Sequence, residues 1–209
     1  MALTFYTNPM SRGQIARWAL HEAGTDYDQQ IVGYGEEMKG DYARDVNPMG
    51  KVPAIVHDDR IVTECAAICA YLADAFPGAG LAPSEDERAD YYRWLFFAAG
   101  PVESAISNKA MGFEIPDDPA KRGTVGYGHF DLVVDVLEAK LAADDYVCGD
   151  RFTMADVYVG SHVIWGMQFG SLPERDSFKA YAERLTARDA YRAAKAIDMA
   201  LIAEAQAQG

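Results

Sequence analysis

The sequence reads Asn47-Pro48-Met49-Gly50-Lys51-Val52-Pro53-Ala54-Ile55-Val56 in its N-terminal third, and Glu64 follows eight residues later. The apolar run from Ala54 to Val56 predicts a short strand. Pro53 stands at its start, a position where a proline is tolerated in a sheet. The proline also favours an extended conformation at Val52. If no strand pairs with Val52, its N–H and C=O can bind a small extended peptide as an added strand. The alternative is an ordinary junction between a loop and a strand.

The composition is typical of a globular protein and excludes several classes of partner. Of the 209 residues, 50% are hydrophobic and 24% are charged, which suits one large domain or two small ones. No apolar run approaches the roughly 20 residues of a membrane helix. The N-terminus lacks a basic segment followed by an apolar one, so we expect no signal peptide, no membrane partner and a cytoplasmic location. The net charge of −13 opposes binding to nucleic acid.

The cysteines and histidines do not form a metal-binding pattern. The three cysteines (Cys65, Cys69 and Cys148) include no CxxC pair, which fits a reducing compartment without a disulfide framework. The four histidines are far apart in the sequence and lack ligand spacing. We therefore predict no metal site.

The order of elements over residues 1–78 predicts a small α/β domain with a mixed sheet. Strands are expected at 3–6, 27–32, 54–56 and 61–62, with helices after the first, second and last of them. The first helix is expected to begin at Ser11, because a serine followed three residues later by Gln14 is a capping-box pattern. The pair Asp58-Asp59 predicts a tight hairpin.

Residues 79–84 are predicted to be a linker, and residues 85–209 an all-helical domain. Helices are expected over about 85–111, 121–143, from Thr153 onwards, 176–186 and 189–205. At the third of these, Asp156 replaces the usual Glu or Gln of a capping box, and Phe152 and Val157 stand where a hydrophobic staple requires apolar residues.

Four segments of the chain resemble motifs of the cytosolic glutathione transferases, in the right order over the whole length. They are the segment 47–53, similar to the family's NP-x-G-KVP, whose proline is cis; Thr63-Glu64, similar to its Glu-Ser pair; Asn8-Pro9-Met10-Ser11-Arg12, similar to the turn after strand one in the bacterial serine and cysteine branches; and Gly149 to Asp156, similar to its helical capping box. The resemblance implies a thioredoxin-like N-terminal domain followed by an all-α C-terminal domain. It also implies a homodimer, with reduced glutathione as co-substrate and no other cofactor.

The resemblance implies glutathione-binding roles for residues in these segments. Val52, followed by Pro53, would pair with the cysteinyl backbone of glutathione. Glu64 and Cys65, at a helix N-terminus, would hold the γ-glutamyl end, although Glu64 could be only a favourable charge in a first turn. Cys65 stands where the family has a serine, and a thiol is a weak donor, so binding is expected to be weakened but kept. Cys65 is either a reactive thiol or a buried inert one.

The glycyl carboxylate of glutathione needs a cation. Lys51 is the first candidate and Lys39 the second, with Arg12 adding positive charge nearby. The alternative for each is an ordinary solvated side chain.

Catalysis is expected to depend on activation of the glutathione thiol. A free thiol has a pKa near 8.5, and lowering it by two units needs about 2.7 kcal/mol, which one hydrogen bond to a charged group supplies (about 1.5–3 kcal/mol). Ser11 is the expected donor, aided by the field of the helix end. Tyr6 is the competing candidate, and Arg12 and Asn8 are possible second donors.

An apolar wall for the electrophile is expected from Met10, Met111, Phe113 and Trp165, for which the alternative is core packing. The leading hypothesis is a detoxifying glutathione transferase that conjugates the thiolate to small hydrophobic electrophiles. Alternatives are a non-catalytic glutathione-binding or scaffold protein on the same fold, and a glutathione-dependent isomerase or dehalogenase. A disulfide reductase is less expected, since position 11 is serine and not cysteine.

Overall fold

The computed structural model describes residues 2–208 and contains two compact units. The first unit takes in the chain up to Ala82 and again from Thr186, and the second runs from Pro83 to Leu185. The strands are β1 (Leu3–Thr7), β2 (Asp28–Ile31), β3 (Ala54–His57) and β4 (Arg60–Val62). The helices are α1 (Gly13–Ala23), α2 (Asp41–Asp45), α3 (Cys65–Ala75), α4 (Arg88–Phe97), α5 (Glu103–Ala110), α6 (Pro119–Thr124), α7 (Phe130–Ala143), α8 (Met154–Gln168), α9 (Asp176–Thr186) and α10 (Asp189–Gln208).

The sheet of the first unit has the order β2-β1-β3-β4 and is mixed, as predicted. β1 pairs in parallel with β2 and antiparallel with β3, with Tyr6 opposite Ala54. Alternate residues of β1 face the core, where Leu3 and Phe5 are buried. The hairpin at Asp58-Asp59 is confirmed, and both residues have positive φ, as a tight two-residue connection requires.

The last helix, α10, packs against α1 within the first unit. Arg17, buried on α1, pairs with the equally buried Asp198 through a 2.9 Å contact between Nε and Oδ1. Arg188 holds Glu22 with two hydrogen bonds of 2.6 and 2.7 Å. The predicted boundaries at 1–78, 79–84 and 85–209 remain a prediction. The contacts of the structure group the last helix with the first unit because its partners lie on α1.

The second unit is helical, and the start of α8 carries a buried network of hydrogen bonds. The capping box predicted at Thr153 and Asp156 is confirmed, with Asp156 Oδ2 accepting from the Thr153 N–H at 2.8 Å. The other oxygen of Asp156 accepts from the Val147 N–H and the Tyr181 hydroxyl, both at 2.8 Å. Burial raises the pKa of Asp156, and these hydrogen bonds oppose the rise. The carboxylate therefore joins three segments of this unit.

The helix predicted over 121–143 is not continuous, which corrects the sequence-based expectation. α6 ends at Thr124 and α7 begins at Phe130, and Gly128 between them has φ +68°. A left-handed glycine ends helical geometry at little steric cost. The His129 ring then caps α7 by accepting from the Leu132 N–H at 3.2 Å.

The predicted helix over 85–111 is also divided. A turn of π-helix at Ala98–Val102, which contains Pro101, separates α4 from α5. The proline has no N–H for the regular ladder, which accounts for the irregular turn.

None of the helices in the part of the chain that the structure describes has the length and hydrophobicity needed to cross a bilayer.

Candidate active site

The loop between β1 and α1 holds Ser11 by its own hydroxyl. Ser11 Oγ donates to the Asn8 carbonyl at 2.7 Å and accepts from the Gly13 N–H at 2.9 Å. The hydroxyl proton thus already has an acceptor within the loop. To donate to a thiolate, the hydroxyl would have to exchange this neutral hydrogen bond for a charge-assisted one, which is stronger. Ser11 is half-buried.

The capping box predicted at Ser11 and Gln14 is not formed. α1 begins at Gly13, with Arg12 in the N-cap position. The Gln14 oxygen does not accept from the Ser11 N–H, which donates to the Asn8 carbonyl at 3.1 Å. The Gln14 Nε2 donates to the Pro9 carbonyl at 2.6 Å. Gln14 therefore supports the loop and does not cap the helix.

Gly13 is a site residue that sequence reasoning missed. A Cβ at this position would lie 1.9 Å from Thr7 Oγ1 and 3.1 Å from Ser11 Oγ. A side chain here would displace Ser11 or the end of β1. A glycine two residues after the candidate serine was a usable signal, because such glycines mark close backbone approach.

Tyr34 is a second missed residue. Its exposed side chain donates from the hydroxyl to the Met10 carbonyl at 3.0 Å. It lies in the glycine-rich segment 33–35, whose sequence carries no pattern that links it to the loop.

The peptide bond between Val52 and Pro53 is cis, as the resemblance implied. The preceding carbonyl, that of Lys51, accepts from the Tyr42 hydroxyl at 2.6 Å and from Asn47 Nδ2 at 2.8 Å. Burial raises the pKa of Tyr42 to about 12, so it remains a protonated donor. Within residues 2–208 the structure shows no hydrogen bond to the main chain of Val52.

Glu64 stands at the N-cap of α3 with φ +64°. A left-handed conformation at a residue other than glycine costs about 1–3 kcal/mol and is often found at ligand sites. Its side chain is exposed, and the first N–H groups of the 11-residue α3 are those that a helix cannot satisfy internally. A carboxylate ligand would find both free donors and a favourable helix dipole here.

Cys65 is buried directly after Glu64 and contacts the loop between β1 and α1. It is 8% exposed, and its Sγ donates to the Arg12 carbonyl at 3.6 Å. One turn later, Cys69 is fully buried, and the pKa of its thiol is raised first by a hydrogen bond with Cys65 and then by burial. Burial and these contacts favour the inert interpretation of Cys65.

The candidate cations are all on the surface. Lys51 is exposed beside Val52, and Arg12 is exposed at the start of α1. Lys39 is 69% exposed and pairs with Glu36 at 2.8 Å. An ion pair already occupies Lys39, so Lys51 stays the first candidate for the glycyl carboxylate.

Two of the other candidate donors, Tyr6 and Asn8, have structural contacts. The Tyr6 ring packs against Tyr42 with centroids 5.6 Å apart, in a small cluster that includes Val32. Asn8 is buried, donates to the Val32 carbonyl at 3.0 Å and accepts from the Met10 N–H at 2.9 Å. Both side chains support the end of β1.

The predicted electrophile contacts are on the surface of their units. Met10 in the first unit is 62% exposed, and Met111 and Phe113 in the second are 69% and 63% exposed. Trp165, on α8, is half-buried. Phe113 also lines a cavity of about 300 Å³ within the second unit, together with Lys109. The role of these four residues stays a prediction.

In the described range 2–208, no three His, Cys, Asp or Glu side chains are grouped so that they could hold a metal ion.

Comparison with known proteins matches both halves of the chain to one family. The model of the glutathione S-transferase N-terminal domain matches residues 10–75, and that of the C-terminal domain matches residues 125–196. Glutathione S-transferase F13 of Arabidopsis thaliana is 29% identical over 206 residues, which are 91% of this chain and 94% of the relative. The disulfide-bond oxidoreductase YghU of Escherichia coli is 29% identical over 165 residues, which are 68% of this chain and 51% of the relative. A solved sphingomonad glutathione S-transferase complexed with glutathione has a TM-score of 0.74 at 27% identity, covering 93% of this chain and 98% of that one.

Proposed function

The chain belongs to the glutathione S-transferase family, and we propose that it conjugates the thiolate of reduced glutathione to small hydrophobic electrophiles. The free main chain of Val52 carries this proposal, because it can pair with an extended tripeptide as an added strand. The start of α3 supports it, since Glu64 and the helix N–H groups suit a γ-glutamyl group with its carboxylate and ammonium. From the family, we also propose a homodimer in the cytoplasm with a role in detoxification.

Ser11 is the proposed activator of the thiol. Its hydroxyl donates to the glutathione sulfur and favours the thiolate. The thiolate then attacks the electrophilic carbon: a carbon–sulfur bond forms, the leaving group departs with its electron pair, and the thiol proton passes to solvent. Serine need not ionise in this step.

Replacement of Ser11 by alanine tests this role. We expect reduced glutathione to bind Ser11→Ala with nearly wild-type affinity in a calorimetric titration, while turnover of a chromogenic halonitroarene falls about ten- to a hundredfold, the value of one hydrogen bond to a charged group. Tyr6→Phe is the matched control and should keep the wild-type rate. Loss of rate in Tyr6→Phe with full activity in Ser11→Ala would assign activation to the tyrosine.

A non-catalytic glutathione-binding protein is the second candidate. Two observations favour it: the weak donor Cys65 stands where the family has serine, and the Ser11 proton is directed to the Asn8 carbonyl. Such a protein would bind glutathione in the titration but give no wild-type turnover with any electrophile of a halide, epoxide or isothiocyanate panel.

A further inference from the structure

The carbonyl groups of the serine loop, Asn8 to Arg12, are all hydrogen bonded. The donors are Ser11 to Asn8, the Gln14 side chain to Pro9, Tyr34 to Met10, the Gln14 N–H to Ser11, and Ile15 with Cys65 to Arg12. The bond from the Gln14 side chain differs from the rest, because the same amide also contacts the last helix of the chain.

The second partner of Gln14 is Lys195 on α10. Lys195 Nζ donates to Gln14 Oε1 at 2.9 Å, and Gln14 Nε2 donates to the Pro9 carbonyl at 2.6 Å. An ammonium group can only donate hydrogen bonds. Lys195 therefore requires the oxygen of the amide to face it, which leaves the NH₂ group facing Pro9. The Pro9 carbonyl can only accept and selects the same orientation, so Lys195 reinforces the placement of the NH₂ group and fixes the far end of the amide.

Lys195 is carried by a firmly held element. One turn later on α10, Asp198 forms the buried ion pair with Arg17, and at the start of the helix Arg188 holds Glu22 with two hydrogen bonds. Both partners belong to α1, the helix whose first turn contains Gln14. We call the two hydrogen bonds from Lys195 through Gln14 to the Pro9 carbonyl the relay. The relay connects α10 and α1, whose relative placement these ion pairs fix.

We propose that Gln14, oriented by Lys195, is a positioning residue that holds the serine loop so that the Ser11 hydroxyl meets the glutathione sulfur. The inference rests on the proposed function. The Pro9 carbonyl is two residues from Ser11, and a shift of about 1 Å in a catalytic group can cost as much as a hundredfold in rate. The last helix of the chain is therefore part of the support of the active site.

Two variants break the relay in different ways. Lys195→Met removes the orienting donor, and Gln14→Glu keeps the pair with Lys195 but presents a carboxylate oxygen to the Pro9 carbonyl. We expect each to lower kcat about tenfold while KM stays within about threefold. The absorbance of the thiolate of bound glutathione should titrate at a higher pH in both. Lys195→Arg, which keeps a donor, should restore wild-type behaviour.

Arg192→Met is the matched control, because Arg192 is an exposed cation on the same helix whose contact with Asp189 is 4.0 Å long. It should leave the titration and both kinetic constants unchanged. Urea unfolding of all variants shows whether a change in rate comes from the broken relay or from a general loss of stability.

Unchanged thiolate titration in both Lys195→Met and Gln14→Glu, with an active wild type, would overturn this inference and leave the proposed function intact. A rise in KM at constant kcat would also overturn it, since that indicates a binding role. A wild type that does not bind glutathione would overturn both. If Lys195→Met does not fold, Gln14→Glu and Lys195→Arg still decide the question.

Discussion

Replacement of Cys65 by serine is expected to tighten glutathione binding about tenfold. Cys65 is the first residue of α3, and its Sγ donates weakly to the Arg12 carbonyl at 3.6 Å. A serine hydroxyl is a better donor than a thiol, and its shorter bond to Cβ places the oxygen further from that carbonyl. The hydroxyl is then available to a γ-glutamyl carboxylate.

The expected gain follows from the strength of such a bond. A hydrogen bond to a charged group contributes about 1.5–3 kcal/mol, from which the lost contacts of the thiol with Arg12 and Cys69 must be subtracted. A net gain of about 1.4 kcal/mol corresponds to a tenfold lower Kd. Calorimetric titration with reduced glutathione at fixed pH measures it directly.

Cys65→Ala is the matched control for this prediction. It should bind glutathione about as well as the wild type, because the backbone N–H at position 65 is unchanged. A glutathione analogue that lacks the γ-glutamyl α-carboxylate should bind Cys65→Ser and wild type equally. The reasoning is refuted if Cys65→Ser binds no tighter, or if Cys65→Ala loses affinity, since the thiol itself would then be the donor.

Three further predictions concern stability. Arg17→Met leaves Asp198 buried without its partner and should lower the free energy of urea unfolding by about 3–5 kcal/mol. The double variant Arg17→Met with Asp198→Leu should recover most of this loss. An equal loss in the single and the double variant would contradict the ion-pair explanation. Asp156→Ala removes the acceptor shared by three segments and should destabilise by about 3 kcal/mol; a change below about 0.5 kcal/mol would show that water replaces it. Hydrogen bonds from Arg151 lower the pKa of Glu87 from its ordinary 4.5 to about 2. The folded state therefore takes up this proton at a lower pH than the unfolded state. The stabilisation is present above about pH 4.5 and is lost as the pH falls to about 2. Glu87→Gln should remove this part of the acid sensitivity, about 1 kcal/mol for a partly solvated pair, and equally steep pH profiles would contradict the assignment.

Local patterns in the sequence predicted those parts of the molecule whose partners are close in the chain. The strand after Pro53 and the capping box at Thr153 follow from residues within a few positions of each other, and both are confirmed. The hairpin at Asp58-Asp59 belongs to the same class.

Several contacts that the sequence did not predict involve partners far away in the chain. The capping-box pattern at Ser11 failed because the Gln14 amide found better partners in the Pro9 carbonyl and in Lys195, which is 181 residues away. A buried Arg17 on an otherwise apolar helix face predicts a counter-ion, but no local rule identifies Asp198, also 181 positions away. Three-dimensional packing decides such pairs.

The return of α10 to the first unit has a consequence for how the chain is made. Synthesis proceeds from the N-terminus, so Lys195 and Asp198 emerge from the ribosome 181 residues after their partners Gln14 and Arg17. The second unit, Pro83 to Leu185, is contiguous and can close while synthesis continues. Until Asp198 has emerged, the guanidinium of Arg17 lacks its carboxylate partner, so the first unit completes its core later than the second although its strands precede that unit in the chain.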